Sequence, residues 1–178
     1  FLGLNPAGKV PVLIEGDGQV LSESTGICEY LDEVYPDPAL IGASSADRAE
    51  TRRLTNWFDL KFGAEVTANL VFEKVTKRLA SLGPPDTRAI RAGRQNIGAH
   101  LEYIGYLTER RRWLAGDQLG LADITAAAHL SCLDYLGDVP WGQYPLTKDW
   151  YARIKSRQSF RPLLTERLPG LTPPVHYD

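Results

Sequence analysis

The chain has 178 residues, 43% hydrophobic and 24% charged, with a formal net charge of −2. This is a globular composition with enough apolar residues to hide about 70% of the unfolded chain's surface, so intrinsic disorder is excluded. The near-neutral charge argues against a nucleic-acid partner, no apolar run approaches the roughly 20 residues of a membrane span, and no basic-then-apolar start marks a signal peptide. The expected compartment is the cytoplasm.

The chain begins at Phe1 and contains no Met, so a fragment or processed product is expected. Val10 to Glu15 is a short Val- and Ile-containing run between Gly8 and Gly16, which reads as a strand. Asp17-Gly18 is a strong hairpin signal, with Gln19 to Leu21 as the returning strand. A helix is expected from about Ser24 to Tyr35, with Ile27, Tyr30, Leu31 and Val34 as its apolar stripe, stopped by Pro36-Asp37-Pro38.

Pro36 to Ser45 reads as a connector. Ala46 to about Leu82 forms one long helical pattern, with Leu54, Trp57, Phe58 and Phe62 on one face, continued by Val66, Leu70 and Val71; Gly63 is a candidate bend. After Gly83-Pro84-Pro85, Asp86 to about Arg111 repeats Ile90, Ile97, Leu101, Ile104 and Leu107 at helical spacing, predicting an antiparallel helix pair. Leu121 to Leu136 is apolar on most sides and reads as a central buried helix. Shorter helices are expected over Pro145–Arg157 and Pro162–Leu168, then an irregular tail from Gly170 to Asp178.

Two features invite chemistry. Pro11 stands near a strand start, where it cannot donate a ladder hydrogen bond. A cis Val10–Pro11 bond would turn the backbone groups of Val10 outward, toward an extended peptide, although local evidence favours an ordinary trans proline. Glu23-Ser24 stands at a helix N-terminus, where free N–H groups attract a carboxylate and Glu23 can meet an ammonium. The commoner role of such residues is helix capping.

The remaining polar residues give less. Cys28 and Cys132 form no CxxC and have no metal-ligand spacing to His100, His129 or His176, so reduced, buried thiols and no metal are expected. His129 reads as a packed core histidine. Arg110-Arg111-Arg112 reads as a solvated helix end or as a docking patch for an acidic partner.

Taken together, Asn5-Pro6-Ala7-Gly8-Lys9-Val10-Pro11-Val12-Leu13, Leu21-Ser22-Glu23-Ser24, Ile27 and Tyr30-Leu31 resemble the glutathione transferase superfamily, and Leu119-Gly120-Leu121-Ala122-Asp123-Ile124 resembles the start of that family's buried helix. The resemblance implies an α/β plus all-α fold. A thioredoxin-like N-terminal domain (1–36), incomplete at its first strand and helix, would be followed by a linker (37–45) and an all-helical domain (46–178). It implies glutathione as co-substrate, with Val10 and Pro11 at its cysteinyl backbone and Glu23 and Ser24 at its γ-glutamyl end. Trp57, Phe58 and Lys61 would line a substrate cleft, and the chain would form a homodimer. The family's Tyr, Ser or Cys activator has no counterpart here, so the catalytic residue is expected before Phe1. Gly120 stands where the family usually has a Ser or Thr N-cap.

A narrower resemblance runs through Trp57-Phe58-Asp59, Lys61-Phe62-Gly63, Ser131-Cys132-Leu133-Asp134-Tyr135, Asp149 to Arg157, Leu168-Pro169-Gly170 and Pro173-Pro174. These look like a bacterial branch that includes a noncatalytic cell-division protein binding filaments of the tubulin homologue FtsZ. A transferase and a partner-binding module are therefore both expectations, since fold alone does not decide activity.

Overall fold

The Asp17-Gly18 signal produces the hairpin it predicts. β1 (Val12–Ile14) pairs antiparallel with β2 (Val20–Ser22), with Leu13 opposite Leu21. Gly18 takes φ 90°, a conformation that favours glycine, and the Asp17 side chain accepts from the Gln19 N–H at 2.9 Å. β1 starts two residues later than expected because Pro11 brings no N–H to the ladder. The Val10–Pro11 bond is cis, as is Asp37–Pro38, which corrects the local preference for trans at Pro11. The computed structural model describes residues 1–177, so the final residue of the predicted tail lies outside the described residues.

Helix α1 (Ser24–Val34) follows the hairpin directly. Only Ile27 of its apolar stripe is buried; Leu31 and Val34 stay 36% and 46% exposed, since two three-residue strands offer too little surface to cover the whole stripe. The connector is tied down at both ends. Asp32 of α1 accepts from the Leu40 and Ile41 N–H groups, Ile41 is fully buried, and the Leu40 carbonyl accepts from Leu121 N–H at 2.7 Å. Glu29 and Arg52 add a bidentate pair at 2.6 and 3.2 Å between α1 and the next helix.

That helix, α2 (Ser45–Asn56), starts on a reciprocal cap: Ser44 Oγ accepts from Asp47 N–H, and the Asp47 carboxylate accepts from Ser44 N–H. It continues without interruption into a π-helical stretch, Trp57–Thr76, and a last turn, α3 (Lys77–Leu79). The Lys77 N–H bonds the Phe72 carbonyl, five residues back. Gly63 lies inside this stretch and ends nothing.

Helix α4 (Thr87–Arg110) runs back along it. Going up α4, Gly93 meets Leu70, Asn96 bonds the Glu65 carbonyl, His100 meets Trp57 and Tyr103 meets Arg53, so the pair is antiparallel. A Cβ on Gly93 would come within 2.8 Å of Leu70 Cγ, which explains the glycine at the crossing.

The core gathers Leu54, Phe58, Phe62, Val66 and Leu70 against Ile97, Leu101 and Ile104, with Leu130 and Leu133 of α5 (Leu121–Tyr135) and Trp150 of α6 (Pro145–Lys155) closing it. Each such side chain contributes about 1.5–3 kcal/mol by burial. A short α7 (Arg161–Thr165) and the tail complete the described chain, with Tyr135 Oη donating to the Leu171 carbonyl. Among the described residues no helix is long and apolar enough to cross a membrane.

Asp123 sits fully buried in the first turn of α5. Its carboxylate accepts from Leu114 N–H (3.0 Å), Gly120 N–H (3.1 Å) and the Trp150 indole N–H (2.8 Å). Burial pushes its pKa up against the pull of these donors. The glycine at the N-cap has a steric cause: a Cβ there would lie 2.8 Å from the Leu40 carbonyl oxygen.

Two outcomes follow, both read from urea unfolding midpoints. Asp123→Ala loses about 3 kcal/mol or more, because a buried acceptor leaving three donors unmet costs about 1–3 kcal/mol for each. Gly120→Ser, although serine is the better intrinsic cap, loses about 1–3 kcal/mol by overpacking against Leu40; a gain in stability would contradict this account.

Candidate functional site

The hairpin edge and the start of α1 bring together all four residues singled out there. Val10 lies outside the ladder and is 81% exposed, and Pro11 follows it through the cis bond. Glu23 occupies the N-cap position at φ 72°, ψ 122°, a left-handed conformation unusual for a residue with a side chain. Its carboxylate makes no capping hydrogen bond, and both Glu23 and Ser24 are exposed. The ordinary capping role is therefore not performed, while the free N–H groups of an eleven-residue helix open beside an unused carboxylate and hydroxyl. Strained non-glycine residues of this kind concentrate at ligand clamps and active sites.

A cleft of about 420 Å³ adjoins Ser24. Thr25 and Cys28 of α1 form one wall; Thr55, Asp59 and Thr67 form another; Leu121, Ile124, Thr125, Ala128, His129 and Cys132 of α5 form the third. The α5 residues recur at i, i+3, i+4, i+7, i+8 and i+11, one face of that helix. α5 is thus apolar all round because it packs into the core on one side and lines this cleft on the other, with Ile124 41% exposed.

This corrects two expectations. His129 is not a packed core residue: it lines the cleft, with Nδ1 2.9 Å from Thr67 Oγ1 and Nε2 3.3 Å from Asp59 Oδ1. The cysteines are unpaired but not both buried, since Cys132 is exposed and Cys28 half-buried. Partial burial, with Asp59 adding to it, pushes the Cys28 thiol up, so it is no ready nucleophile.

Trp57, Phe58 and Lys61 do not line this cleft. Phe58 is fully buried in the core. Trp57 stands two residues from both Thr55 and Asp59, about half a turn away on the helix, and turns to α4. There its indole N–H donates to His100 Nδ1 at 3.1 Å. Lys61 pairs with Glu65 beside it, over the Trp57 ring. His100 is almost fully buried, with Nε2 3.0 Å from Glu65 Oε2. Since Nδ1 accepts from Trp57, the ring proton belongs on Nε2. Burial holds the His100 pKa below its ordinary value, outweighing the opposing pull of Glu65. Among the described residues no group of side chains has the make-up of a metal site.

Comparison with known proteins agrees with this architecture. The family profile "Glutathione S-transferase, N-terminal domain" matches residues 1–34, and "Glutathione S-transferase, C-terminal domain" matches residues 75–158. The chain belongs to the glutathione S-transferase family. It is 49% identical over 181 residues to FtsZ-localized protein A of Caulobacter vibrioides (strain NA1000 / CB15N), covering 100% of this chain and 79% of that protein. It is 29% identical over 176 residues to glutathione S-transferase F10 of Arabidopsis thaliana, covering 90% and 75%. The crystal structure of a glutathione S-transferase from Rhodospirillum rubrum F11 superposes with a TM-score of 0.96 at 60% identity, covering 99% of this chain and 80% of that one.

The buried imidazole sets a pH dependence. The folded-state pKa of His100 is depressed, so its contribution is complete above the unfolded value of about 6.5 and is lost as pH falls below it. Glu65, held low chiefly by Lys61, is affected only at more acidic pH, below its ordinary 4.5. The urea midpoint therefore falls between pH 7.5 and pH 5.5 in the parent, and much less in His100→Phe. An equal fall in both proteins would place its source elsewhere.

Proposed function

We infer that this chain is a glutathione transferase-type protein that holds glutathione at the hairpin edge and the start of α1. The observation that carries this reading is Glu23, strained at φ 72° with its carboxylate unused for capping, beside an open helix N-terminus. The γ-glutamyl end of glutathione presents an ammonium and a carboxylate on one carbon. Glu23 takes the ammonium; the Ser24 hydroxyl and the first N–H groups of α1 take the carboxylate. Val10 offers its backbone N–H and C=O to the cysteinyl residue in strand fashion, beside Pro11. Bound glutathione supplies a thiol that, as thiolate, forms a sulfur–carbon bond with an electrophile while the leaving group departs with its electron pair.

A second reading has its own support in the 49% identity to a protein named as FtsZ-localized. Under it the chain is a noncatalytic, cytoplasmic module whose fold binds a protein partner such as FtsZ filaments. Both readings include a homodimer, which elutes from a sizing column at twice the mass of one chain.

Calorimetric titration with glutathione, run beside a thiol-conjugation assay, separates the two. The first reading expects binding that weakens at least about tenfold, roughly 1.4 kcal/mol, in Glu23→Ala and in Ser24→Ala. No heat at millimolar glutathione removes it. Co-sedimentation with FtsZ filaments then tests the second, and a chain left in the supernatant counts against that partner.

A further inference from the structure

Many of this protein's arginines are ion-paired. Arg48, Arg52, Arg53, Arg88, Arg94, Arg110 and Arg111 each reach a carboxylate within 3.6 Å. Among the described residues Arg112, Arg153 and Arg157 reach none, and these three line one groove of about 610 Å³ between the turn after α4 and the end of α6. The triple-arginine run thus divides. Arg110 pairs with Glu109 and covers the Tyr106 ring, and Arg111 bridges Glu50 and the Leu114 carbonyl. Arg112 alone is left facing the groove.

Three guanidiniums with no carboxylate partner among the described residues, on a chain of net charge −2, are a local separation of charge. The last turn of α6 offsets only about half a charge, against three full ones. The groove is also preorganised. Arg153 donates to the Arg112 carbonyl at 2.9 Å and lies 5.3 Å from the centre of the Trp113 ring. Ser156, Gln158 and Ser159 add neutral hydrogen-bonding groups along its length.

The shape narrows the ligand. All three arginines are exposed along an open groove, with Arg153 and Arg157 four residues apart at the end of α6 and Arg112 on a separate segment, an arrangement that suits an extended ligand better than a single small anion. Trp113 is only 7% exposed, so it offers no platform for stacking nucleic-acid bases. Carboxylates spaced along an extended peptide match the spread of charge, and each guanidinium can hold one in a bidentate pair. We propose that this groove docks an acidic, Asp- and Glu-rich segment of a partner protein, held by Arg112, Arg153 and Arg157. The proposal stands apart from the glutathione reading, since it uses none of the residues at α1.

Fluorescence anisotropy with a labelled Glu-rich octapeptide tests it, with the Gln isostere, inorganic phosphate and a single-stranded oligonucleotide as competitors. The Glu-rich peptide is expected to bind at least about tenfold more tightly than its Gln isostere and to weaken between 50 and 300 mM salt, as rim charge pairs of about this strength do. Arg153→Glu with Arg157→Glu abolishes the difference, while Arg112→Gln, a milder change, reduces it. The unfolding midpoint of each variant establishes that it is folded. Equal binding of the two peptides, or undiminished binding by the folded double variant, overturns the proposal. So does tighter binding of phosphate or of the oligonucleotide, each of which would assign the groove to that ligand instead.

Discussion

A carboxylate out of water costs several kcal/mol unless its lone pairs are met, and the placement of Asp123 turns that cost into architecture. Its three donors come from three separate places: the turn after α4, the N-cap of α5 and the middle of α6. No two of these segments can shift apart without leaving the charge unmet. The next residues extend the network outward. Leu121 donates to the Leu40 carbonyl, and Leu40 donates to Asp32 on α1. A run of hydrogen bonds thus joins this buried carboxylate of the helical core to the helix that presents Glu23 and Ser24.

Gly120 shows how such a network reshapes local rules. Considered alone, a glycine N-cap is a weak choice, because it supplies no side-chain acceptor. Here the Leu40 carbonyl occupies the space a Cβ would need, and the Asp123 carboxylate accepts from the Gly120 N–H, the one half of a capping box that survives without a cap side chain. The helix start gives up its own cap so that the connector can approach.

What was legible in the sequence follows the range of the physics involved. The hairpin and the start of α1 depend on residues within a few positions of one another, and their chemistry names them; the donors that meet Asp123 come from as far as Trp150 and are not local. The π-helical stretch was not legible, because Phe58, Phe62, Val66 and Leu70 recur every four residues and suit an α-helical stripe equally well. The cleft face of α5 was hidden for a related reason: a helix apolar on all sides does not say which side the core covers. The facing of two rings was hidden for one cause. Trp57 and His129 are both half-apolar, half-polar rings, and only the partner across the interface, His100 in one case and Thr67 with Asp59 in the other, decides where each ring faces.

Charge behaves in the same way. A net charge of −2 excludes a uniformly basic surface, yet it is silent about how opposite charges pair once folded. Arg110, Arg111 and Arg112 are adjacent in sequence, but the chain turns outward after α4. Arg111 then finds Glu50 on α2, while Arg112 reaches no carboxylate among the described residues. The same turn supplies Leu114 N–H to Asp123, and α6, which carries Arg153, supplies the Trp150 indole to it. The basic groove and the α1 edge are therefore two surfaces hung on one buried carboxylate. A satisfied, close-packed network of that kind has one low-energy arrangement rather than two. It acts as a fixed frame for both surfaces, so a change at one need not rebuild the other.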